Sequence, residues 1–134
     1  MSESSYVYFA PHKSEYRFKI GKSINPLERL QMVAFKNDHD IDLMRTFAVK
    51  VESEAESFQI EHLFHLALRK HKCPTEMCGD DGKTEWFSMS GYESALQIAR
   101  SIGPQASFIL IESWGKDVLR SITLSESDNL RQLL

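Results

Sequence analysis

At 134 residues the chain is of single-domain size, long enough to form a hydrophobic core without disulfides or metals standing in for it. Its 42% hydrophobic and 26% charged residues are those of an ordinary globular protein, and no apolar run nears the roughly 18 residues that a membrane span needs. A formal charge of −3 argues against a protein that coats nucleic acid by bulk charge alone.

The opening MSESSYVYFAP lacks the basic start and long apolar centre of a secretory signal, so a cytoplasmic protein is expected. Cys73 and Cys78, in HKCPTEMCGDDGK, are then expected as free thiols. The charge is unevenly spread. Between His12 and Lys36 the basic residues Lys13, Arg17, Lys19, Lys22, Arg29 and Lys36 face only Glu15 and Glu28, whereas Glu52, Glu54, Glu56 and Glu61 gather acid further on.

In chain order, Tyr6 to Ala10 (YVYFA) and Tyr16 to Gly21 (YRFKIG) are aromatic and β-branched runs around a polar turn, which predicts an antiparallel hairpin. Asn25-Pro26-Leu27-Glu28 combines a capping residue, proline at the first helical position and glutamate at the third, predicting a helix over Pro26 to Lys36. Leu43 to Val51 carries Phe47, Val49 and Val51 at period two, as a half-buried strand does. Ser53-Glu54-Ala55-Glu56 is a capping box before an apolar stripe from Ile60 to Ala67, so the longest helix should begin there and end near Lys72.

Pro74, Gly79 and Gly82 with Asp80 and Asp81 predict an exposed loop over Cys73 to Lys83. Glu85-Trp86-Phe87 reads as a short strand with Trp86 and Phe87 as core anchors. Ser90-Gly91-Tyr92-Glu93 supplies a third capping box, and the helix after it should stop at Gly103-Pro104. Phe108 to Ile111 (FILI) suits a buried strand, and 121–134 a polar segment ending in a short helix. Together these predict an α/β (α+β) domain with a small, mainly antiparallel sheet of three or more strands flanked by helices.

The order of short motifs carries more than any one of them. Tyr6-Val7-Tyr8, then Lys19-Ile20-Gly21, then Arg29 eight residues on, then Glu61 four residues ahead of His65, then Glu85-Trp86-Phe87, resembles the GIY-YIG endonuclease superfamily. It is similar to the divergent phage-type branch, in which the second tripeptide commonly reads Lys-Ile-Gly. The resemblance spans roughly Tyr6 to Phe87. It implies a nuclease domain over residues 1–103, with 104–134 an extension that packs on it or binds a protein partner.

What the resemblance implies is metal-dependent hydrolysis of phosphodiester bonds in DNA, with RNA left open. Arg29 would stabilise phosphate charge through its planar, permanently charged fork. Glu61 would bind Mg²⁺ or Mn²⁺, a metal that keeps several waters and is also held by substrate phosphates, so that one carboxylate can suffice. Tyr8 would assist the attacking water. Lys19 stands where the better-known pattern has a second tyrosine, which leaves the base assignment open between Tyr8 and His65. Lys13, Arg17, Lys22 and Lys36 are the candidate nucleic-acid contacts. The alternative is a domain that keeps the fold without the chemistry and binds nucleic acid or a protein partner. His62, His65, His71, Cys73 and Cys78 match no familiar zinc-finger spacing.

Overall fold

A computed structural model describes residues 5–23, 41–73, 86–102 and 108–121. Five strands form one sheet: β1 (Ser5–Pro11), β2 (Arg17–Ser23), β3 (Phe47–Val51), β4 (Trp86–Ser88) and β5 (Ile109–Ile111). Their order is β4-β2-β1-β3-β5 and every pairing is antiparallel. With helices α1 (Glu54–Ala67), α2 (Tyr92–Ile102) and a third, α3, over 114–121, this is the α+β fold the pattern of elements predicts.

Side-chain alternation along the strands divides the interior in two. Val7 and Phe9 of β1, Phe18 and Ile20 of β2, and Phe47, Val49 and Val51 of β3 meet Phe64 and Leu68 from the α1 side and Ala95 and Ala99 of α2. Phe9 sits at the middle of this layer, stacked on Phe47 at 4.5 Å between ring centroids and edge-on to Phe64 at 4.7 Å. The opposite face of the same strands carries Tyr8, Ala10 and Ala48, which meet Ile41, Leu43, Trp114 and Val118. Each fully buried large apolar side chain stabilises the fold by about 1.5–3 kcal/mol.

The hairpin forms as expected, with Tyr8 opposite Gly21 and Ala10 opposite Lys19. Its turn is held by His12, whose buried ring accepts at Nδ1 from the backbone N–H of Ser14 at 3.1 Å and of Glu15 at 3.0 Å. The expected strand over Leu43 to Val51 begins only at Phe47. Asp42 accepts from the Met44 N–H at 3.1 Å and pairs with Arg45 at 2.8 Å, which winds Leu43–Arg45 into a 3₁₀ turn instead.

Helix α1 starts as its capping box dictates, with the Ser53 hydroxyl accepting from the Glu56 N–H at 3.2 Å. Its α-helical part ends at Ala67, earlier than the sequence pattern predicts. Leu68 turns into the core at 1% exposure, Arg69–His71 continue as a 3₁₀ turn, and Lys72 then bridges to Phe87. The third capping box is not used as predicted. The Ser90 hydroxyl engages Ser88 at 3.0 Å and His71 at 2.9 Å, while Ser88 accepts from the Ser90 N–H and α2 begins at Tyr92.

Helix α2 ends at Ile102, immediately before Gly103-Pro104, as the sequence predicts. The predicted helix over Pro26 to Lys36, the loop over Cys73 to Lys83 beyond its first residue, and the polar end after Ser121 lie outside the described residues. No helix among the described residues is long and apolar enough to cross a membrane.

Candidate functional site

Strand β2 is the element on which the candidate residues converge, and its alternation sends them to both sides of the sheet. Lys19 and Gly21 face the side of Tyr8 and Trp114. Phe18, Ile20 and Lys22 face the side of α1.

On the first side, the Tyr8 ring stacks on Trp114 at 5.8 Å and 7° and is 6% exposed. It lies across its cross-strand partner, Gly21, where any Cβ would collide with the phenol's Cζ and hydroxyl. Gly21 is thus required for close approach of a ring. Lys19, diagonal to Tyr8, is buried at 4% exposure. Trp114 was not among the residues the sequence singled out, although Trp114, Val118 and Leu119 at i, i+4 and i+5 form a helical signal in an otherwise polar stretch.

On the second side, α1 presents a flank beside β2. With about 100° per residue, Phe58, Glu61 and His65 fall within roughly 60° of arc, next to the stripe of Ser57, Phe64 and Leu68 that faces the sheet. The Glu61 carboxylate is 3.9 Å from His65 Nε2, and both side chains are partly exposed at 24% and 20%. His65 is fixed edge-on to Phe87 of β4 at 5.3 Å. Lys22 reaches across from β2, its Nζ 3.0 Å from the centroid of the Phe58 ring. One flank therefore gathers a cation, an aromatic ring, a carboxylate and an imidazole.

The remaining candidate residues are distributed. Lys13 is exposed on the hairpin turn, and Arg17 is held locally, its Nε 2.6 Å from Glu15 and its guanidinium 4.1 Å from the centroid of the Trp86 ring. Arg29 and Lys36 lie outside the described residues, as does Cys78. Tyr8 and Lys19 thus stand together on one face, while the helix bearing Glu61 and His65 covers the other.

Among the described residues no three His, Cys, Asp or Glu side chains are clustered to hold a metal ion. A solvent-reached carboxylate such as Glu61 nevertheless fits a hard cation whose other ligands are waters and phosphate oxygens. His65 beside it offers a nitrogen that such a cation prefers less.

A cleft of about 330 Å³ opens elsewhere among the described residues, lined by Arg45, Phe47, Tyr92, Leu96, Glu112 and Lys116. Its wall is closed by the Tyr92 hydroxyl donating to the Arg45 carbonyl at 2.5 Å and, nearby, by the Arg100–Glu112 pair at 2.6 Å. Burial pushes the Tyr92 phenol above its ordinary value, and the Arg100 guanidinium holds the Glu112 carboxyl below its own.

No curated protein and no solved structure matches the chain. Residues 5–103, which contain β1 to β4 with α1 and α2, match the T5orf172 domain, and the chain belongs to this phage-associated, nuclease-like family.

Proposed function

We propose that the chain is a metal-dependent endonuclease of GIY-YIG type that hydrolyses phosphodiester bonds in DNA. The observation that carries this reading is the flank of α1, where Glu61 stands beside His65 and Phe58, one turn earlier, is met by Lys22 from the Lys-Ile-Gly strand of a nuclease-like domain.

Hydrolysis of a phosphodiester requires a water freed of its proton and cations facing the oxygens on which charge grows. Glu61 would hold Mg²⁺ or Mn²⁺, which when bound supplies charge neutralisation and a polarised water. Lys22 and Arg29 would grip the non-bridging phosphate oxygens, Arg29 through two parallel hydrogen bonds. The motif pattern offers Tyr8 or His65 as proton acceptor for the water, and Tyr8 stands on the opposite face of the sheet from Glu61. His65 is the better placed of the two, since it shares a helix turn with Glu61. DNA is favoured as substrate by the resemblance, and a cytoplasmic setting and a partner for the C-terminal extension belong to the same proposal.

A second reading is favoured by the burial of Tyr8 and Lys19: a domain that retains the fold and binds nucleic acid or a protein without cutting. Conversion of supercoiled plasmid to open circles separates the two. The nuclease reading expects nicking that needs Mg²⁺ or Mn²⁺, stops with chelator and is lost in Glu61→Ala. Plasmid that stays supercoiled but is shifted on a gel supports the binding module.

A further inference from the structure

Phe58 is one of three large apolar residues that α1 exposes, with Leu63 and Leu66, and the one of them that carries a ring. It is 53% exposed, yet it is held in place by the Lys22 ammonium resting 3.0 Å from its centroid. A single exposed aromatic on a soluble domain needs no explanation. Here two further facts bear on it. Phe58 lies three residues, close to one turn, before Glu61, so the ring and the carboxylate line the same flank. The cation that orders the ring comes from β2, immediately after Gly21, and it puts a positive charge on the ring that lies one turn from Glu61.

We infer that Phe58 is a stacking platform for an unpaired nucleobase whose neighbouring phosphate is drawn to Lys22 and presented at Glu61. The chemistry fits a base in preference to an apolar side chain. Every nucleobase offers a π-face, stacking on an aromatic ring tolerates any sequence, and the adjoining backbone is anionic where Lys22 places a cation against the ring. A strand read here would be single-stranded or locally opened, because a base stacked within a duplex has no free face. The inference rests on the nuclease reading for its substrate class and adds to it the state of the strand.

The test uses the protein in chelator, which withholds the metal the proposed cleavage needs, and a short single-stranded DNA carrying one 2-aminopurine, whose fluorescence falls when it stacks. Wild-type protein should quench the probe, Phe58→Tyr should match it within about twofold, and Phe58→Leu should lose the quenching and weaken binding about tenfold. Because Phe58 is exposed, leucine should leave thermal unfolding nearly unchanged, which separates lost stacking from lost folding. Equal quenching and affinity in Phe58→Leu would overturn the platform while leaving metal-dependent cleavage standing. A wild-type protein that neither binds the probe in chelator nor nicks plasmid with metal would overturn both.

Discussion

The Tyr8 ring lies over Gly21, its partner across the hairpin, so that the phenol fills the space a side chain at position 21 would take. The glycine of the Lys-Ile-Gly run thereby has a physical reason: it is the floor on which an aromatic ring is laid. Gly21→Ala should destabilise the fold by about 1–3 kcal/mol through overpacking. In a Tyr8→Ala background the same change should cost much less. Urea unfolding of the four proteins in the cycle measures the coupling, and a Gly21→Ala cost that is unchanged by removing the ring would show that the two do not compete for that space.

Trp114 is the other face of the same stack, and it ties α3 to the sheet. Gly115, beside it, allows this approach, since a Cβ there would strike the Leu43 carbonyl and Thr46, and its N–H donates to the Thr46 carbonyl at 3.0 Å. Trp114→Ala should cost about 3–5 kcal/mol, in the range of a large aromatic removed from a core. A loss under about 1 kcal/mol in chemical denaturation would mean that α3 is only loosely seated.

Tyr92 links α2 to the turn before β3 by donating to the Arg45 carbonyl. Tyr92→Phe should cost about 1 kcal/mol, the usual net value of such a bond. Since its folded value is raised, mainly by burial, Tyr92 contributes stability that is fully present below the unfolded value near 10 and is lost as pH rises towards the folded one. Thermal unfolding followed from neutral to alkaline pH should therefore fall less steeply in Tyr92→Phe than in wild type.

How much of this was legible in the sequence follows from where local signals and tertiary packing agree. The hairpin and the start of α1 were readable because alternation and a capping box act within a few residues. The early end of α1 was not, because Leu68 is buried in the core of the sheet and Lys72 bridges to Phe87, contacts distant in sequence. Glu61 and His65 could be paired from a four-residue spacing. Lys22 and Phe58 could not be joined, since only the docking of α1 on β2 brings them together. Lys19 looked like an available cation from its place in the motif, yet it sits in the second strand of the sheet between Ala10 and Trp86 and is buried there.

Lys19, at 4% exposure on the Tyr8 face, is better placed to act on its neighbours than on a phosphate in solution. Lys19→Met should then leave the salt dependence of DNA binding unchanged, while slowing turnover at saturating DNA. A slope reduced by about one unit would instead identify a lost phosphate contact.

Glu61 is the carboxylate proposed to hold the metal. Binding of Mn²⁺ followed by electron paramagnetic resonance, with DNA present and with the folded Glu61→Gln protein as control, tests this most directly. The wild-type chain with DNA should bind Mn²⁺ well above the level of DNA alone, and Glu61→Gln should lose that increment while still binding DNA. Equal Mn²⁺ binding by the two proteins would contradict the assignment and move the metal, and with it the centre of the chemistry, away from the α1 flank.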